Sequence, residues 1–166
     1  MSAKGIRDID VIRTFVLQGT LNFTRYFFKI RQKRKFVIGK HHREIAAALD
    51  KVLCGEITRL IINIAPRYGK TELAVKNFIA EGLAINPKAK FIHLSYSDDL
   101  ARDNSRGVQD IINEPEYRRI FPATIPTSTN TKKWYTTEGG GLYAVSSAGQ
   151  VTGFGAGLVD EEENDE

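Results

Sequence analysis

A chain of 166 residues in which 42% are apolar is long enough for one domain with a real core, and mixed α/β content is the expectation. Its single cysteine, Cys54, excludes an internal disulfide, and no apolar run is long enough to span a bilayer, so a reducing cytosol and no membrane partner are expected. The formal net charge of +4 conceals an asymmetry, because residues 1–43 hold eleven Lys or Arg against Asp8 and Asp10, whereas the remainder holds thirteen basic against eighteen acidic side chains.

Residues 8–18 and 22–34 read as two amphipathic helices joined at Gly19-Thr20. Ile9, Ile12 and Val16 form one apolar stripe and Phe23, Phe27 and Ile30 the next. Asn22 is the candidate N-cap of the second helix. Its far face carries Arg25, Lys29, Arg31 and Lys33, followed by Arg34 and Lys35, so residues 1–40 are set apart as a basic helical segment, compatible with nucleic acid and equally with a solvated helix face. The extended piece Phe36-Val37-Ile38 leads through Gly39-Lys40 into a helix from about His41 to Leu53, closed by Gly55, with Cys54 read as a small core residue. His41-His42 lacks a third ligand at metal-site spacing. A helix-start role or a hydrogen bond to a nucleotide base is preferred for the pair.

Arg59 to Glu72, RLIINIAPRYGKTE, is the stretch with the most chemistry in it. Leu60, Ile61, Ile62 and Ile64 form a short apolar run of the kind a strand buried on both faces requires. After it, Leu73, Ala74, Phe78, Ile79 and Leu83 recur at helical spacing, so Gly69-Lys70-Thr71 falls where a helix begins. Glycine lets backbone approach phosphate oxygens, and the unpaired N–H groups of a helix start point at an anion. Lys70 can then reach the outer phosphates and the Thr71 hydroxyl can bind Mg2+. The motif is a degenerate Walker A, since the first glycine of GxxxxGK[ST] would fall at Ile64.

Asn86-Pro87 stops that helix, and Lys90 to Tyr96 reads as a second strand, which would make a right-handed βαβ unit with the strand at 59–65. Ser97-Asp98-Asp99 caps a helix that ends before Pro115, and a turn of helix around Tyr117 to Ile120 ends at Phe121-Pro122. Trp134-Tyr135-Thr136 and Leu142 to Val145, separated by Glu138-Gly139-Gly140-Gly141, form a hairpin signature. The glycine-rich stretch from Ser147 to Gly157 reads as a functional loop or a flexible connector. Six carboxylates in Asp160 to Glu166 favour a disordered acidic tail.

In the order of its pieces the chain resembles the large subunit of tailed-phage terminases, the ATP-driven DNA-packaging motor, from about residue 20 to 157. The residues that carry the resemblance are His41-His42, Glu56-Ile57-Thr58-Arg59, Ala65-Pro66-Arg67-Tyr68-Gly69-Lys70-Thr71, Ser95-Tyr96-Ser97, Trp134 and the loop Gly149 to Gly155. The resemblance implies an α/β fold of the P-loop NTPase type, a parallel sheet flanked by helices, over residues 41–159, after the N-terminal helical segment. It also implies ATP and Mg2+ as cofactors, with Pro66, Arg67, Tyr68, Gly69, Lys70 and Thr71 around the phosphates and His42 near the adenine. Arg67 and Lys70 would be the catalytic cations and Thr71 the metal ligand. The implied partners are double-stranded DNA, the small terminase subunit, the portal protein and other copies in a ring, within the cytosol of a bacterial host. Leu158-Val159-Asp160-Glu161 superficially fits the Walker B pattern, but two apolar residues are too few for a buried strand. The expectation is therefore a chain that stops short of Walker B, binds ATP weakly and turns it over poorly. A helicase-like P-loop translocase, or a noncatalytic basic nucleic-acid-binding fragment with a vestigial P-loop, are the alternatives.

Overall fold

The computed structural model describes residues 8–147. The glycine-rich stretch beyond Ser147, the Walker B-like residues and the acidic tail lie outside the described residues. Helices α1 (Asp8–Val16), α2 (Thr20–Gln32) and α3 (Lys40–Leu53) come first, and the stretch at 59–65 that follows belongs to no helix or strand. A helix then starts at Lys70, widens into a π-helical stretch, Glu72–Asn77, and continues without a break as α4 (Phe78–Ile85). Strand β1 (Lys90–Ser95), helices α5 (Asp98–Asn113) and α6 (Pro115–Ile120), and the hairpin β2 (Lys133–Tyr135) and β3 (Gly141–Ser146) complete the described fold.

The sheet has the order β1-β3-β2. β3 runs parallel to β1 in the register Lys90↔Gly141 to Ser95↔Ser146, and antiparallel to β2 with Trp134 opposite Leu142. The expected hairpin is therefore present, and β3 is the central strand, with Leu142, Ala144 and Val145 all buried. Gly140 and Gly141 permit the tight approach at its start, because a Cβ on Gly141 would sit 2.2 Å from the Trp134 carbonyl oxygen.

The expected strand at 59–65 is not part of this sheet. Ile61 is 87% exposed and the segment takes no place in a β-ladder, so the expected βαβ unit with residues 90–96 does not form. The parallel partner of β1 is β3, reached through α5, α6 and β2. An apolar run gains a strand's stability only from cross-strand neighbours, and among the described residues the outer edge of β1 is left open.

One core cluster joins the N-terminal helices to the rest. Val16, Phe23 and Phe27 pack with Ile79, Leu83, Val108, Tyr117, Phe121, Trp134 and Leu142. The aromatic centroids of Phe27 and Tyr117 lie 5.3 Å apart and those of Tyr117 and Phe121 5.1 Å. Polar handles within it are satisfied: the Tyr117 hydroxyl donates to the Ala80 carbonyl at 2.8 Å, and Trp134 Nε1 donates to Ser105 Oγ at 2.9 Å.

Helix ends follow their local signals in part. Ser97 caps α5 as expected, its Oγ accepting from the Leu100 N–H at 3.3 Å. Asn22 is not the cap of α2, which starts two residues earlier. There Asp50 of α3 takes the role, its Oδ1 accepting from the Thr20 N–H at 2.7 Å. Cys54 is exposed rather than in the core, because α3 ends at Leu53 and Cys54 lies in the turn beyond it.

Candidate nucleotide-binding site

The loop between residues 59–65 and the helix start has an unusual backbone. Arg67 and Gly69 both adopt left-handed conformations, with φ of 70° and 74°, on either side of Tyr68. Left-handed geometry is uncommon for a residue with a side chain, and positive φ next to residues of ordinary φ is a backbone pattern that recurs in anion-binding concavities. The Leu73 N–H donates to the Gly69 carbonyl at 3.0 Å, which starts the helix at the end of the loop. The concavity is a cavity of about 420 Å³ lined by Ala65, Pro66, Arg67, Gly69, Lys70, Thr71 and Glu72. Of the residues expected around the phosphates, Pro66, Arg67, Gly69, Lys70 and Thr71 share this lining, with Lys70 and Thr71 exposed, whereas Tyr68 does not.

Gly69 is held there by contact as well as by its φ. A Cβ at this position would lie 2.8 Å from His42 Nε2, so the loop and α3 approach as closely as a bare backbone permits. His42 is buried and both of its ring nitrogens are used within the chain. Its Nδ1 accepts from the Gly39 N–H at 2.9 Å, which fixes the start of α3, and its Nε2 lies 3.0 Å from the Tyr68 carbonyl oxygen. With Nδ1 accepting, the neutral ring carries its proton on Nε2 and donates it to Tyr68. Burial lowers the His42 pKa, and the neighbouring His41 lowers it further, so the neutral tautomer that clamps the loop is the favoured one.

A second cavity, of about 510 Å³, adjoins the first and shares Arg67, Gly69 and Glu72 with it. Phe28, Phe36, Val37, Ile38, His41 and Tyr68 contribute its apolar and aromatic lining. The pair has the composition of a bipartite site, with a polar backbone cradle beside an aromatic pocket of small-molecule size. Arg34 and Lys35, from the basic segment, also line the second cavity.

Other flagged positions lie elsewhere. Ser95 and Ser97 sit at the carboxyl end of β1, where Asp98 accepts from the Ser146 N–H at 3.1 Å, and Trp134 is a core residue. His93 faces Asn104, whose Nδ2 lies 3.1 Å from His93 Nε2, and burial lowers its pKa. Sequence reading missed Glu72 and Asn77 as site residues. The Glu72 Oε1 accepts from Arg31 Nη1 at 2.9 Å and from Asn77 Nδ2 at 3.0 Å. No local pattern could have revealed a contact spanning forty-one positions.

Among the described residues no group of three or more His, Cys, Asp or Glu could hold a metal ion, and no helix is long and apolar enough to cross a membrane. No protein-family profile, no curated protein and no solved structure matches this chain to a significant degree. The class that fold and site define is an α/β protein with a small mixed sheet and a cradle-forming loop at a helix start.

Proposed function

We propose that the chain binds a nucleoside triphosphate, ATP by preference, and that it is the ATP-binding part of a DNA-packaging motor of the terminase large-subunit type. The observation that carries the reading is the paired left-handed geometry of Arg67 and Gly69 around a cavity that Lys70 and Thr71 also line. Backbone N–H groups would take the phosphates, Lys70 and Arg67 would balance their charge, and the neighbouring aromatic pocket would take the base. Thr71 fits Mg2+ as a single hydroxyl ligand, because that ion keeps most of its waters and draws its remaining oxygens from phosphate rather than from a carboxylate cage. Bound Mg2+ would supply charge neutralisation at the phosphate oxygens.

Titration of the purified chain with a fluorescent ATP analogue and Mg2+ tests the reading. Lys70→Ala is expected to weaken binding by about ten- to a hundredfold, the worth of a hydrogen bond to a charged group. Equal affinity of the two proteins would overturn it. A second reading rests on the basic side chains of residues 25–43, among which no acid intervenes and of which Arg25, Lys29, Lys33, Arg34, Lys35, Lys40 and Arg43 are exposed. Salt-sensitive binding of duplex DNA that is indifferent to Lys70→Ala, without nucleotide affinity, would support a basic nucleic-acid-binding protein instead.

A further inference from the structure

Glu72 follows directly on Gly69-Lys70-Thr71 and is the only carboxylate among the described residues lining the loop cavity. An unopposed negative charge there would repel any anion the loop held, and more strongly the more phosphates it carried. Arg31 meets that charge from α2. Its Nη1 donates to Glu72 Oε1 at 2.9 Å, and the two side chains are only 10% and 18% exposed, so bulk solvent screens the pair less than a surface ion pair. Arg31 thereby differs from Arg25 and Lys29 on the same helix, which are exposed.

Asn77 fixes the carboxylate from the other side. It is fully buried, and its Nδ2 donates both to Glu72 Oε1 and, at 2.8 Å, to the Glu72 main-chain carbonyl five residues back. The widened π turn brings that carbonyl within reach, and such turns recur at functional sites. Glu72 is therefore held in one position and neutralised there.

We infer that Arg31 is a positioning residue of the phosphate loop: by pairing with Glu72 it cancels the carboxylate at the rim of the cradle and makes polyphosphate affinity depend on α2. The inference rests on the nucleotide reading and adds to it a residue from the helical segment outside the loop.

The test is a charge cycle in the full chain, with Arg31→Gln, Glu72→Gln and the double variant titrated with Mg-ATP, ADP and AMP. R31Q is expected to lose about tenfold in ATP affinity, with a smaller loss for ADP and the smallest for AMP. The double variant is expected to recover most of the loss, and E72Q alone to bind ATP about threefold more tightly than wild type. A loss equal for all three nucleotides, or one that E72Q fails to rescue, would show a merely structural role and overturn the inference. Should R31Q lose its cooperative melting transition, E72Q decides: tighter ATP binding supports the inference, and unchanged or weaker binding overturns it. A wild-type chain without Lys70-dependent affinity overturns this inference together with the nucleotide reading; one with that affinity and an indifferent R31Q overturns the inference alone.

Discussion

β3 and the stretch at 59–65 are written in the same language and end in opposite environments. Leu142, Ala144 and Val145 are covered on both faces between β1 and β2, whereas Ile61 is almost wholly exposed. β3 has a neighbour supplied locally, since a short turn returns the chain from β2 and fixes Trp134 against Leu142. Residues 59–65 have no such partner nearby in sequence, and any ladder they joined would have to come from a distant part of a chain. An apolar run states a need for cover, and the surrounding topology decides whether the need is met.

The comparison breaks most readily from the core side. Trp134→Ala removes a buried indole and orphans Ser105 Oγ, and is expected to cost about 3–5 kcal/mol in urea unfolding. A loss below about 1 kcal/mol would mean that the hairpin is no better anchored than the exposed stretch.

Next in size is Glu81 of α4, buried beneath α2. Burial pushes its pKa up to about 8, and the nearby Asp50 adds to the rise. A carboxyl whose folded pKa lies above its unfolded value binds more protons when folded, so stability falls as pH rises from about 4.5 to about 8. Glu81→Gln is neutral at every pH. It is expected to gain on the order of a few kcal/mol over wild type at pH 8.5 and to flatten the slope across that window, as read by denaturant midpoints.

Gly69→Ala sharpens the comparison at the loop, where the exposed stretch meets the core. The added Cβ meets His42 and the residue must hold a left-handed φ, so about 1 kcal/mol of stability and most of the nucleotide affinity are expected to go together. His42 should make the same loop acid-sensitive. Its folded pKa is lowered, so the unfolded chain binds more protons and stability begins to fall as pH drops through about 6.5. Hydrogen exchange of the loop amides at pH 7.5 and 5.5, corrected for intrinsic rates, should show faster opening at the lower pH. The smallest effect belongs to Ile61→Ala, expected within about 0.5 kcal/mol of wild type because little contact is removed.

What was legible in the sequence was legible because it was local. The 3.6-residue period marked α3 and α5, Ser97 declared the start of the latter, and the glycines before Leu142 declared the hairpin. Gly69-Lys70-Thr71 was rightly set at a helix start. The misreadings share a different cause. Asp50 caps α2 across thirty residues, Arg31 reaches Glu72 across forty-one, and Cys54 faces solvent because of where its helix happens to end. None of these leaves a trace in spacing, since each depends on how separate elements are stacked. The pairing of 59–65 with β1 failed for the same reason, a length that fits a crossover being no guarantee of a crossover.

The widened turn at Glu72–Asn77 carries one residue more than an ordinary helical turn would need. The loop-bearing end of that helix is thus out of phase, by about 100°, with where an uninterrupted α-helix would aim it. Deleting any single residue between Val75 and Asn77 would let the turn tighten and turn Lys70 round the axis by that angle, at the cost of lifting buried Leu73 from the core and Gly69 from His42. The direction in which the loop faces is therefore set by a count of residues well inside the helix, and Leu73 and His42 hold that count in place.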